Sequence, residues 1–106
     1  MTSPTQLSLR WLRERGYTAE VVERYSAFDR KRHDLWGFAD ILAIRRNEVM
    51  AVQTTTAHNV PARMKKIAEA PTVGAVREAG ISIFVHGWSQ ARPRARWVLT
   101  RNEDLS

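Results

Sequence analysis

The chain has 106 residues and no cysteine, which excludes disulfides and thiolate metal sites and leaves room for one hydrophobic core but not two. Seventeen Lys and Arg against eleven Asp and Glu give a net charge of +6 and a pI near 10.8, a balance that favours polyanionic partners such as DNA or RNA. No apolar run approaches the roughly 18 residues of a membrane span and the N-terminus lacks a signal peptide's apolar region, so the expectation is a cytoplasmic protein with no membrane partner.

Ser3-Pro4-x-Gln6 reads as a helix start, with Ser3 as N-cap, Pro4 in the first helical position and Gln6 where a capping box needs it; Gly16 is the stop. Helical spacing places Leu7, Trp11 and Glu14 on one face, flanked by Leu12. Glu14 therefore ends an inward stripe, and is either directed at a site or an exposed last-turn carboxylate paired with Arg10. Residues 18 to 25 are rich in β formers and predict a first strand, with Val21, Glu23 and Tyr25 on one side. Glu23 then faces either a site or a solvated edge.

Residues 26 to 36 predict a basic loop in which Arg30, Lys31 and Arg32 could track a phosphate backbone. His33 has no second His or Cys at ligand spacing and is expected at the surface or on phosphate. Trp36 and Phe38, either side of Gly37, are expected to pack rather than to stack on bases. Two β-rich runs, 38 to 45 and 48 to 56, are joined by Arg46-Asn47, a polar pair suited to closing a hairpin. Asp40 lies near the start of the first run and Gln53 near the end of the second, so antiparallel pairing makes them neighbours. A carboxylate among apolar residues with no basic residue within four positions is a candidate site. Gln53-Thr54-Thr55-Thr56 is alternatively a strand end satisfying local backbone groups.

Farther on, Asn59 and Pro61 open a helix whose stripe is Val60, Met64, Ile67 and Ala68, with Arg63 and Lys66 flanking it and Lys65 facing out. Pro71 is expected to break it, and residues 72 to 79 form a second piece ending at Gly80. A strand over 81 to 86 and an edge strand over 94 to 101 follow, with 102 to 106 as a short tail. Between Asp40 and Glu103 the only acids are Glu48, Glu69 and Glu78, while basic residues cluster at 30 to 32, 45 to 46, 63 to 66 and 92 to 96.

An apolar hairpin with Asp40 in its first strand and Gln53-x-Thr55 leaving its second resembles the PD-(D/E)XK nuclease superfamily, which includes archaeal Holliday junction resolvases and many restriction enzymes. Ala39-Asp40 stands where that superfamily has Pro-Asp, and Gln53-x-Thr55 where it has Asp/Glu-x-Lys. The runs Asp34 to Asp40 and Val52 to Thr55 also look like those of small phage and prophage proteins with the same fold. The resemblance implies an α/β fold over 1 to 106: a restriction-endonuclease-like mixed β-sheet with flanking helices, in the order α-β-β-β-α-β plus a C-terminal strand. It implies Mg2+ or Mn2+ held by Asp40 and Gln53, with Asp34, Glu14 or Glu23 supplying further carboxylates. Asp40, Gln53, Thr55 and Lys66 are then the catalytic set, with Lys66 or Arg63 replacing the missing lysine. The expected function is a metal-dependent DNA endonuclease, structure-selective or weakly specific, acting as a homodimer. The alternatives are an inactive DNA-binding accessory module of the same fold and a phage protein that binds a host nuclease.

Overall fold

The computed structural model describes residues 2 to 106. Helix α1 (Pro4–Glu14) begins as its sequence dictates: Ser3 Oγ accepts from the Gln6 amide at 3.2 Å and Pro4 occupies the first turn. Gly16, at φ +88°, turns the chain into strand β1 (Thr18–Val21). Strands β2 (Arg24–Ser26) and β3 (Lys31–His33) follow, then the hairpin β4 (Ile41–Arg45) and β5 (Glu48–Thr56). A 3-10 turn (Ala57–Asn59), helices α2 (Val60–Ala68) and α3 (Val73–Glu78), and strands β6 (Ser82–Ser89) and β7 (Val98–Asp104) complete the chain.

Five strands form one mixed sheet in the order β1-β4-β5-β6-β7, in which only β5 and β6 are parallel. That parallel pair needs a crossover, which the 3-10 turn, α2 and α3 supply. Where the chain length predicts a single core, period-two alternation divides the buried apolar residues into two clusters on opposite faces of the sheet. On one face Leu9 and Leu12 of α1 meet Ala43, Met50 and Val52. On the other, Val60 and Ile67 of α2 and Val76 of α3 cover Ala51, Ile83 and Val85. The result is an α/β protein with a mixed five-stranded sheet and flanking helices, none of them, among the described residues, long and apolar enough to cross a membrane.

Gly87 sets how closely the crossover lies on the sheet. A Cβ at that position would fall 2.5 Å from Val60 Cγ2 and 3.0 Å from Ala57 Cα. Only glycine permits the contact, and it fixes where α2 begins.

Several expectations need correction. The strand over 18 to 25 is broken at Val22-Glu23: β1 joins the main sheet, while β2 pairs with β3 as a separate antiparallel ribbon. The basic segment expected as a loop is thus partly strand. The first hairpin strand begins at Ile41 rather than Phe38, because Trp36 (φ +58°) and Gly37 (φ +87°) turn the chain and deliver Phe38 into the core, fully buried. The buried face of α1 is Ser8, Leu9 and Leu12 rather than Leu7, Trp11 and Glu14. Finally, 102 to 106 is no tail: β7 runs to Asp104, the Leu105 amide donates to the Ile83 carbonyl at 2.8 Å, and Ser106 Oγ accepts from the Ile83 amide at 2.9 Å.

Beneath α1 lies a buried polar group of three. Ser8 Oγ accepts from Trp88 Nε1 at 2.8 Å and lies 3.0 Å from His86 Nδ1. A serine that accepts from Trp88 and donates to a neutral His86 satisfies all three atoms. Burial accordingly pushes the His86 pKa down to about 4, with the charge of Arg15 adding to the effect.

Candidate metal centre

The hairpin register pairs Ile41 with Val52, and the Asp40 amide donates to the Val52 carbonyl at 2.9 Å, so Asp40 enters the sheet opposite Gln53. Both are buried, at 4 % and 2 % exposure. Because β4 starts only at Ile41, β5 runs on past Val52 without a main-chain partner on that side. The Asp40 side chain takes the place of the missing strand: its Oδ2 accepts from the Thr54 amide at 2.8 Å, from Thr54 Oγ1 at 3.1 Å and from Gln53 Nε2 at 3.0 Å. Three donors on one oxygen orient the carboxyl group firmly.

Two more acids reach the same point from the foot of the β2–β3 ribbon. Glu23 immediately precedes β2 and Asp34 immediately follows β3, so the pairing of Arg24 with His33 brings them together. Glu23, Asp34 and Asp40 each offer a carboxylate oxygen, and these lie within 4.8 Å of one another. Burial, reinforced by the charges of Asp34 and Glu23 and by a hydrogen bond to Asp34, raises the Asp40 pKa to about 7 against the pull of the Thr54 amide. Cations flank the group. Lys66 Nζ of α2 lies 3.2 Å from Asp34 Oδ2, and Arg32 Nη1 of β3 lies 3.2 Å from Glu23 Oε1.

The donor set fits a hard divalent cation. Three carboxylate oxygens converge, which suits the oxygen preference of Mg2+ or Mn2+. The Gln53 amide that donates to Asp40 also carries Oε1, which is buried and has no hydrogen-bond partner. An orphaned buried carbonyl costs about 1–3 kcal/mol, and a cation beside Asp40 would satisfy it.

The expected site residues divide accordingly. Asp40, Gln53, Asp34, Glu23 and Lys66 gather at one place. Glu14 does not: α1 approaches the site with its N-terminus, where Thr5 Oγ1 meets Thr54 Oγ1 at 2.7 Å, and Glu14, nine residues on, is exposed about 14 Å farther along the helix. Thr55 is buried on the Gln53 face but makes no hydrogen bond to any of the three acids. Of the basic residues, Arg32 is committed to Glu23, whereas Arg30, Lys31, Arg63 and Lys65 make no ion pair among the described residues. Arg63 stands one helical turn before Lys66, on the same side of α2. His33 pairs with Asp29 at 2.8 Å and lies outside the acid cluster.

Thr54 is the member that pattern reading passes over. Strand alternation assigns its side chain to the α1 face, away from Gln53, yet both residues bond Asp40 because the carboxyl group sits at the strand end and reaches round it. No local sequence signal marks it: the residues alone predict the first hairpin run from 38, and only the start of β4 at Ile41 leaves a β5 amide to donate to Asp40.

No family model matches the sequence, and no curated protein or solved structure matches it either.

Proposed function

We propose that this protein is a divalent-metal-dependent DNA endonuclease of the PD-(D/E)XK type, with Glu23, Asp34, Asp40 and the Gln53 carbonyl oxygen as the metal site. The observation that carries the reading is the convergence of three carboxylates from separate segments beside a buried amide oxygen with no partner, in a chain of net charge +6. Ion-pair networks inside proteins are usually balanced. Here three acids face two cations, and one acid is so disfavoured as an anion that its pKa rises to about 7.

A bound Mg2+ would polarise a phosphoryl oxygen and lower the pKa of a coordinated water. The chain's own residues supply the rest. Asp40, fixed by Thr54 and Gln53, holds one corner of the site in a constant orientation. Lys66, poised on α2 beside Asp34, is placed to neutralise charge on a substrate phosphate, the position that Thr55 cannot fill. Arg63, one turn away and without an ion pair among the described residues, extends that positive edge. DNA is the expected polyanion, and RNA shares the phosphate chemistry.

Incubation of wild type with supercoiled plasmid, a four-way junction and single-stranded RNA, with and without Mg2+ or Mn2+, tests the reading. Metal-dependent nicking that disappears in both Asp40→Asn and Lys66→Ala is the expected result. Nicking that survives in Asp40→Asn would come from a contaminant and overturn the assignment.

A second reading has one specific observation in its favour. Glu23 and Asp34 already have cationic partners, Arg32 and Lys66, so the cluster can serve as a structural staple in a binding module that does not cut. Salt-dependent DNA binding without nicking in any metal would select it.

A further inference from the structure

We propose that the β2–β3 ribbon is a wedge that enters a DNA groove and inserts Phe28 at a base step, making the protein selective for DNA whose stacking is already broken. The inference rests on the nucleic-acid reading above.

Its basis is the exposure and setting of one side chain. Phe28 is 99 % exposed, at the turn between β2 and β3, and Tyr25 on the same ribbon is 60 % exposed. A fully solvated phenylalanine gains nothing for the fold, since burial is the source of its stabilisation. The turn is nevertheless held in a defined shape. Asp29 Oδ1 accepts from the Lys31 amide at 3.1 Å, its Oδ2 lies 2.8 Å from His33 Nε2, and Arg30 adopts the left-handed conformation at φ +56°. Asp29 thus ties the turn back to β3, and Phe28, beside it, points into solvent.

Charge and connectivity choose the occupant. Around the tip, Arg30 and Lys31 are exposed and make no ion pair among the described residues, while the one nearby acid, Asp29, is paired with His33. An apolar point ringed by free cations is repelled by a basic second copy of the chain and is suited to a polyanion with an apolar interior, which describes a DNA duplex. Two-stranded ribbons fit the major groove, and apolar wedges between base steps are an established way for proteins to kink DNA. The foot of the same ribbon carries Glu23 and Asp34, about 10 Å from the tip at three residues per strand. A phosphate seated on a cation held by the acids would therefore place the tip within the same few base pairs. Unstacking costs least at a nick, mismatch or branch point, so insertion of Phe28 selects branched or interrupted duplexes over intact ones.

The test uses the full chain without metal at low salt, with an intact duplex and a four-way junction, each carrying 2-aminopurine at the central step. Wild type should bind the junction more tightly than the duplex and raise the 2-aminopurine fluorescence as the base unstacks. Phe28→Ala should bind the junction about tenfold more weakly, equivalent to ~1.4 kcal/mol and inside the range for loss of an aromatic–base stack. It should also lose both the fluorescence rise and the junction preference, while Phe28→Trp keeps them. Equal affinity and equal fluorescence for wild type and Phe28→Ala would overturn the wedge and leave the DNA reading standing. A wild-type dimer that becomes monomeric in Phe28→Ala by sedimentation would overturn it too, by making the tip a self-interface. Failure of wild type to bind any nucleic acid would remove the DNA reading and the wedge together.

Discussion

Gln53 donates its amide hydrogen to Asp40 Oδ2 at 3.0 Å across the β4–β5 hairpin, while the oxygen of the same amide is buried without a partner. Half of the side chain fixes the carboxyl group and half stays open. Gln53→Glu replaces the donor by an acceptor facing an oxygen that keeps only its two bonds from Thr54, and adds a fourth carboxylate. Without metal the variant should melt several degrees below wild type, since each kcal/mol is worth roughly 4–8 °C in a domain of this size. With Mn2+ it should gain more stability than wild type does, by linkage. Thermal melts across a Mn2+ titration measure both, and an unchanged Mn2+ response would remove Gln53 from the ligand set.

Asp40→Asn should behave in the opposite way. Asparagine keeps an oxygen for Thr54 and Gln53, presents an NH2 group toward Asp34 and removes a charge that burial and two neighbouring acids oppose. At pH 8 without metal the variant is expected to be more stable than wild type by about 1–3 kcal/mol. Its melting point should move little on addition of Mn2+. Denaturant unfolding at pH 8 with and without Mn2+ checks this, and a destabilised Asp40→Asn would mean that the ionised carboxylate is favourable where it stands.

Two buried groups give the stability an unusual pH dependence. Asp40 has a folded pKa of about 7, above its unfolded value of 3.8. Between those values the native state binds the extra proton, so this group's contribution falls as pH rises, by up to about 1.4 kcal/mol per pH unit. His86 has a folded pKa of about 4, below its unfolded 6.5. Between those values the unfolded state binds the extra proton, and stability rises with pH by a similar amount. From pH 4 to 6.5 the two slopes oppose each other and wild type should be nearly flat in that window. Asp40→Asn should uncover the rising slope, and His86→Gln the falling one. Parallel profiles for wild type and both variants would show that neither group titrates as its surroundings dictate.

Arg63 and Lys66 share one side of α2, and neither lies in its buried stripe of Val60 and Ile67. The double alanine variant should fold normally and bind duplex DNA more weakly, with the slope of log affinity against log salt reduced by about 1.8 for two lost phosphate contacts. Anisotropy titrations at four salt concentrations give the slope. A slope equal to wild type's would move the phosphate contacts off α2, toward Arg30 and Lys31 on the ribbon.

Local signals were enough for a good part of this fold. Ser3-Pro4 started α1, Gly16 and Gly80 ended α1 and α3 in the left-handed conformation, and Arg46-Asn47 closed the β4–β5 hairpin. These features depend on residues a few positions apart, whose steric and hydrogen-bonding preferences act before any tertiary contact forms. The hairpin is also why the neighbourhood of Asp40 and Gln53 could be read from their places in two adjacent strands.

Other features had no local cause. A strand over 18 to 25 is consistent with its residues, but the chain leaves the sheet after Val22, whose amide still donates to the Asp40 carbonyl at 2.8 Å, and β2 pairs with β3 instead. That break, not any motif, turns Glu23 toward Asp34. Periodicity named Leu7, Trp11 and Glu14 as one face of α1, yet the helix rolled to bury Ser8, whose hydroxyl serves His86 and Trp88 about eighty positions away. Lys66 meets Asp34 across 32 positions of the chain, a contact that no local preference specifies. The sequence by itself determined where α1 begins, where α1 and α3 end and where the β4–β5 hairpin turns, because those choices are made by short-range sterics and capping. Which acids meet, which cation stands beside them and which end of α1 faces them were decided by the packing of two cores on opposite sides of one sheet, where contacts between distant residues outweigh the preferences of any single segment.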